Sequence, residues 1–255
     1  MSIINSLRFN PFMAWLRGDS KSLRHRFFTL PLEHLEFFFF YKLRGKTYTH
    51  YYQVRMERQA KQSFETPFIK EYLETGVTDL EYLKKQGMQP HHRLLDFGCG
   101  TLRTGLFVIP YLDPGNYVGV DISETRIEKG CREAENQGIP RDRYRVVTLT
   151  GTGLEEIADE KIDYVWSLAV FSHMPSSEWY PILRKLHGQL SDDGKILISY
   201  SHRDKLKRSK FKDFWYTSDH VEKVAAECGY KTTFLDDWSE VNYTAEERIV
   251  LLTKA

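Results

Sequence analysis

The chain has 255 residues, a formal net charge of +1, 41% hydrophobic and 28% charged residues, enough for one substantial core with a helical appendage but not for two full domains. A charge balance this close to zero excludes polyanion binding driven by the whole surface. Cys99, Cys131 and Cys228 match no disulfide, zinc or redox spacing, and neither a leader pattern nor an apolar run of membrane-spanning length is present, so a cytoplasmic protein is expected.

Charge is unevenly spread. Residues 1–62 hold eleven Lys and Arg against four acids, which gives +7 there and leaves −6 for the remainder. Asn10, Pro11, Phe12, Trp15, Leu16 and Gly18 describe a short capped helix. A longer helix is expected from Pro31 to Gly45, carrying Leu35, Phe37–Phe40 and Tyr41. Four consecutive phenylalanines cover most of a helix's circumference, so the surplus must meet another helix, a lipid or a subunit. With Arg24, Arg26, Lys42, Arg44 and Lys46 beside them, Met1–Gly45 reads either as a lid with a solvated basic side or as a membrane-surface or lipid contact, peripheral to a membrane. No nucleic-acid partner is expected. Thr66–Pro67 is read as opening a further helix, and Thr78 with Glu81 as a capping box for the next, which Gly87 ends. Residues 1–87 thus form a helical extension, and residues 88–255 the core.

The strongest signal lies between His92 and Ser123. Leu94–Phe97 is too short and apolar for an amphipathic helix and reads as a buried parallel strand. Gly98-Cys99-Gly100 follows as a tight turn whose bare backbone a small ligand can touch. A second strand, Tyr117–Val120, ends in Asp121, about 20 residues beyond the glycines, where a carboxylate can accept hydrogen bonds from both hydroxyls of a ribose. The third glycine of the dinucleotide fingerprint is replaced by Arg103, which disfavours a pyrophosphate.

Leu94-Leu95-Asp96-Phe97-Gly98-Cys99-Gly100-Thr101 followed by Val118-Gly119-Val120-Asp121-Ile122-Ser123 resembles the first two motifs of class I S-adenosylmethionine-dependent methyltransferases. The resemblance covers roughly residues 88–255 and implies S-adenosylmethionine as cofactor. It places cofactor contacts at Asp96, Gly98, Cys99, Gly100, Thr101, Arg103, Asp121, Ile122, Leu154, Ser167 and Leu168. Helices upstream of the first strand often close over the cofactor in this family, but no motif here assigns such a contact. Arg103 reads equally well as a cation for the cofactor's carboxylate and as a solvated loop charge. Cys99 fits the turn by its small size better than as a nucleophile. Where the family often holds adenine with an acid, Gly151-Thr152-Gly153-Leu154 has none, which leaves Leu154 and Ile122 as apolar walls.

Helices are expected at Thr104–Tyr111, whose first amides can receive the cofactor's carboxylate, and after a Ser123 cap, with Cys131 as a core thiol and Gly138 as the stop. Strands follow at Tyr144–Leu149 and Ile162–Leu168. The latter runs into Ala169–Pro175, which resembles the family's segment beside the transferable methyl, so His173 is the sharpest candidate for substrate contact, a structural histidine being the alternative. A helix over Ser177–Leu190, a turn at Asp192-Asp193-Gly194 and a strand at Lys195–Tyr200 come next. The polar excursion Ser201–Phe214 adds Tyr200, His202 and Asp204 as further candidates. Ser218 is read as the cap of a helix ending at Gly229, and Tyr230–Leu235 with Ile249–Thr253 as an antiparallel hairpin.

The expected fold is α/β, a doubly wound, Rossmann-like sheet of seven strands with a helical N-terminal extension. The implied activity is methyl transfer to a small-molecule acceptor, amphipathic or lipid-like, with His173 or His202 as a base if the acceptor needs one. No metal-ligand motif is present, and none is expected to bind. A cofactor-binding protein without catalysis, and a membrane-surface module using the core as scaffold, are the alternatives.

Overall fold

The computed structural model describes residues 35–39, 42–62, 73–151, 154–208, 212–235, 237 and 246–255. The helices expected at 10–18 and after Thr66–Pro67 lie outside the described residues. Of the aromatic segment, 35–39 is helical, and Lys42–Arg44 is a 3-10 turn followed by Gly45 at φ +67°. The surplus of aromatic rings divides there. Phe37 packs edge-on against Tyr51, with centroids 5.6 Å apart, whereas Phe38 and Phe39 are exposed.

Short apolar runs build the sheet. The parallel strands are β1 (Leu94–Phe97), β2 (Tyr117–Asp121), β3 (Tyr144–Thr148), β4 (Ile162–Ser167) and β5 (Leu190–Ser201). A two-residue ladder, β6 (Lys207–Arg208) with β7 (Phe214–Trp215), interrupts the excursion after β5. β8 (Tyr230–Leu235) and β9 (Glu247–Lys254) close the main sheet as the expected hairpin, in the order β3-β2-β1-β4-β5-β9-β8 with β9 antiparallel to both neighbours. Every residue of β1 and β2 is buried, because helices cover both faces, and this is why those strands read as unbroken apolar runs.

The helices are α1 (Tyr48–Gln62), α2 (Gly76–Lys85), α3 (Gly105–Tyr111), α4 (Glu124–Asn136), α5 (Trp179–Gln189) and α6 (Ser218–Ala226). One apolar cluster gathers Trp179, Leu183, Val221 and Tyr230, another Leu83, Leu102, Ile109 and Trp166, and a smaller one Tyr48 and Tyr51. Strand order reverses between β1 and β4, so a crevice opens at the carboxyl ends of the central strands.

Three local expectations change. α2 begins at Gly76, so Thr78 and Glu81 lie inside the helix rather than forming a capping box. A Cβ on Gly76 would stand 2.0 Å from the Arg103 carbonyl oxygen, so the first residue of this helix packs closely on the turn. Asp192-Asp193-Gly194 is an irregularity within β5, between the pairings Ile162↔Leu190 and Tyr164↔Lys195, instead of a separate turn before the strand. Thr217, whose side chain accepts from the His220 amide, caps α6, one residue before the expected Ser218. Ser123 caps α4 as expected, accepting from the Arg126 amide.

Gly130 offers a sharp test of the packing of α4. Alanine in an exposed helix interior would gain ~1 kcal/mol over glycine. Here the new Cβ would lie 2.6 Å from the carbonyl carbon of Thr101, so Gly130→Ala is expected to lose ~1–3 kcal/mol by overpacking, read by urea or thermal denaturation.

Candidate functional site

A cavity of about 610 Å3 lies at the carboxyl ends of β1, β2 and β4, and α1 roofs it. Its floor is the turn after β1. Gly98 and Gly100 adopt φ of +86° and +53°, the left-handed region that glycine enters freely. A side chain at Gly98 would also collide with Val170, whose Cγ2 would be 2.2 Å from the new Cβ. The Gly98 and Cys99 amides both donate to the Val120 carbonyl at 2.7 and 3.0 Å, and the Gly100 amide donates to Asp121 Oδ2 at 3.0 Å. Asp121 Oδ1 accepts from the Ser123 amide at 2.8 Å. Burial raises the Asp121 carboxyl, opposed by backbone hydrogen bonds from Ser123 and Gly100 and by the nearby Arg126 cation.

Cys99 lines the cavity and is packed tightly behind it. A Cβ on Gly119 would stand 3.0 Å from its sulfur, and burial pushes the thiol well above its ordinary value, as for an inert core cysteine. Asp96, also on the cavity wall, accepts from the Tyr117 hydroxyl at 2.6 Å, and burial pushes its carboxyl up to about 7. Thr101 lines the cavity too.

Arg103 lines the cavity but is no solvated loop charge. Its guanidinium is buried and pairs with Asp79 of α2 at 2.6 Å, also donating to Thr75 at 3.0 Å. Burial outweighs Arg103 and pushes Asp79 up to about 6. Thr104, the residue before α3, donates its hydroxyl to the same carboxylate. The solvated-loop alternative is thereby corrected: Arg103 is held in an internal ion pair at the cavity wall.

Two expected contacts lie off the cavity. Leu154 is fully buried in the core and absent from the lining, so Leu149 stands with Ile122 as the apolar wall at this end. Ser167 is buried beneath the floor, donating to the Phe97 carbonyl at 3.0 Å, whereas its neighbour Leu168 does line the cavity.

At the far end the lining includes Val170, Met174, Ile182, Lys212, Glu247 and His173, which sits in a 3-10 turn, Phe171–His173, after β4. His202 does not reach it. That residue bridges to Tyr216 and donates its amide to Glu246 at 2.7 Å, beyond the end of β5, with burial lowering its imidazole. Tyr200 is buried with its hydroxyl 3.1 Å from that of Ser218, and Asp204 is exposed; neither lines the cavity.

The roof was not assigned from the sequence. Tyr48, Thr49, Tyr52, Met56 and Gln59 of α1 line the cavity, and the spacing 48, 52, 56, 59 of one helical face was the available signal. Gln53 straps α1 across the cavity, donating to the carbonyls of Ile122 at 3.0 Å and Leu149 at 3.4 Å. Glu57 anchors the same helix, accepting from the Ser123 hydroxyl at 2.7 Å and from the Thr125 hydroxyl.

Comparison with known proteins agrees with this geometry. Residues 95–196 match the model of a methyltransferase domain. A cyclopropane mycolic acid synthase of Mycobacterium tuberculosis is 31% identical over 116 residues, 46% of this chain and 38% of that protein. Cyclopropane mycolic acid synthase 2 of Mycobacterium leprae is 32% identical over 124 residues, 46% and 39% of the two chains. The chain therefore spans less than two fifths of the length of these relatives. Among solved structures, the magnesium protoporphyrin IX methyltransferase of Synechocystis with bound S-adenosylhomocysteine superposes with a TM-score of 0.56 at 15% identity, covering 82% of this chain and 95% of that one. An S-adenosylmethionine-dependent methyltransferase of Clostridium acetobutylicum gives 0.56 at 12% identity, covering 82% and 99%.

The raised Asp96 carboxyl predicts a pH dependence. A group whose folded value, about 7, lies above its ordinary 3.8 binds its proton more tightly in the folded state, so that stabilisation is full below the ordinary value and is lost as pH rises through the folded one. Asp79 contributes in the same direction. Melting temperatures measured from pH 4 to 7 are expected to fall less steeply in Asp96→Asn than in the unmodified protein.

Proposed function

We propose that the chain is a class I S-adenosylmethionine-dependent methyltransferase that transfers a methyl group to a small amphipathic, lipid-like acceptor. The observation that carries this reading is a bare glycine turn and a sugar-reaching carboxylate facing one another under an aromatic roof. The residues fit the cofactor. Each Asp121 oxygen accepts one backbone N–H and keeps further acceptor capacity for ribose hydroxyls. Around Gly100 the nearest atoms to an added Cβ are 3.9–4.0 Å away, so the backbone is open on that side. Ile122 and Leu149 supply apolar walls for a base.

When bound, the cofactor supplies an electrophilic methyl on a sulfonium that leaves as a neutral thioether. The chain's own task is then alignment and exclusion of water. Gly98–Thr101 and Asp121 hold the nucleoside, Arg103 forms a fixed wall with its charge met by Asp79, and Tyr48, Tyr52 and Met56 cover the cavity. At the far end Val170, Met174 and Ile182 stand beside Lys212, Glu247 and His173, a mixture that suits a molecule with both an apolar body and a polar head. The mycolic acid in the names of the curated relatives points the same way.

Binding is tested by calorimetry with S-adenosylmethionine. Hydrogen bonds to a charged group contribute ~1.5–3 kcal/mol each, so Asp121→Ala is expected to weaken binding by about tenfold or more. Methyl-labelled cofactor incubated with cell extract is expected to label organic-soluble products. Label confined to water-soluble products would contradict the amphipathic acceptor, and no transferred label would contradict transfer itself.

A peripheral membrane contact also has structural support. Leu35, Phe38, Phe39 and Leu43 are 51%, 43%, 55% and 62% exposed, and Lys42, Arg44 and Lys46 accompany them in sequence, a pairing that fits an anionic lipid surface. Among the described residues no helix is long and apolar enough to cross a membrane. Cosedimentation with phosphatidylserine vesicles is expected to fall in a Phe38→Ser/Phe39→Ser double variant, while cofactor binding stays unchanged.

A further inference from the structure

At the far end of the cavity, His173, Lys212 and Asp213 form a hydrogen-bonded cluster that joins the turn after β4 to the approach to β7. His173 Nδ1 lies 3.1 Å from Asp213 Oδ1 and 3.2 Å from the Lys212 carbonyl oxygen. Lys212 Nζ reaches the same Asp213 oxygen at 2.8 Å. Burial alone would raise the Asp213 carboxyl, but the hydrogen bond from His173 and the Lys212 ammonium together hold it well below its ordinary range. Both oxygens facing Nδ1 are therefore acceptors, a carboxylate and a backbone carbonyl. The proton of a neutral imidazole must sit on Nδ1, which leaves the lone pair on Nε2.

The ring is also held in place. Tyr52 stacks on it with centroids 5.9 Å apart and planes inclined by 26°, and the Tyr48 hydroxyl donates to the His173 carbonyl at 3.1 Å. Among the described residues Nε2 has no hydrogen-bond partner, and His173 and Lys212 both line the cavity. With the imidazole neutral, the charges of Lys212 and Asp213 cancel, so the cluster carries none until a proton arrives.

We propose that His173 Nε2 is the base that accepts a proton from a hydroxyl-bearing acceptor, and that Asp213 is its positioning residue. The proposal rests on the methyltransferase reading and deepens it by naming the acceptor group. A hydroxyl is a poor nucleophile while it keeps its proton, so it gains most from a positioned base. Nε2 takes the hydroxyl proton as an oxygen lone pair forms the C–O bond, and the former methyl–sulfur bonding pair stays on sulfur. The products are a methyl ether, a neutral thioether and an imidazolium whose charge Asp213 meets. The proton passes to solvent after release.

The first test needs no acceptor. In the full chain loaded with S-adenosylhomocysteine, nitrogen-15 spectra of the imidazoles, assigned by loss of one signal in His173→Gln, are expected to show His173 with Nδ1 protonated and Nε2 bare. The second follows label from methyl-labelled S-adenosylmethionine into extract compounds. Asp213→Asn and His173→Gln are expected to slow labelling by about 10²–10⁴-fold, the usual worth of a positioned base, while calorimetric affinity for S-adenosylmethionine stays unchanged, and Asp213→Glu is expected to recover part of the rate. An Nε2-protonated tautomer, undiminished transfer by His173→Gln, or label found on nitrogen or sulfur would overturn the proposal while leaving the methyltransferase reading standing. Failure of the unmodified protein to bind S-adenosylmethionine would overturn both.

Discussion

The floor and roof of the cavity depend on one buried carboxylate. Asp121 accepts from the Gly100 amide with one oxygen and from the Ser123 amide with the other, and so ties the turn after β1 to the start of α4. Ser123 then donates its hydroxyl to Glu57 of α1. A continuous line of hydrogen bonds thus runs from the glycine turn, through the end of β2, to the helix that covers the site. Burying a charge is costly unless it is hydrogen-bonded, and here the bonds that satisfy Asp121 also fix the cavity-facing backbone.

The electrostatics behind that floor favour a cationic guest. Asp96 and Asp121 both line the cavity, while the charge of Arg103 is met by Asp79. A pyrophosphate would face the Asp121 carboxylate beside the turn, with Arg126 as the other charge on that wall, whereas a sulfonium would meet the carboxylate with a favourable sign. The absence of a third glycine at Arg103 and the placement of Asp121 therefore disfavour a dinucleotide for separate reasons.

What the sequence made legible was local. β1, the glycine turn, β2 and Asp121 lie within thirty residues of one another, and their roles follow from backbone geometry that neighbouring residues set themselves. The alternation of strands and helices was enough for the order of the parallel core, because crossovers of one hand leave few arrangements. Contacts made across long separations were not legible. Gln53 and Glu57 reach residues more than sixty positions away, and Asp213 meets His173 from a lysine-rich stretch that reads as a solvated loop. Leu154 and Leu149 are both leucines near the end of β3, and only packing decides which is core and which is wall. His202 looked equivalent to His173 by type, yet the antiparallel β9 and the Tyr216 bridge hold it beyond the cavity. Cap positions moved by a residue or more, to Thr217 for α6 and to before Gly76 for α2.

The proposed function requires above all that a single nucleoside be gripped between Asp121 and the roof formed by α1. A crystal structure with S-adenosylhomocysteine tests it most directly. The ribose hydroxyls should bond Asp121, the adenine should lie against Ile122 and Leu149, and α1 should stay closed with Gln53 still bonded to the Ile122 carbonyl. A nucleoside bound elsewhere, or one bound with no ligand contact to Asp121, would contradict it.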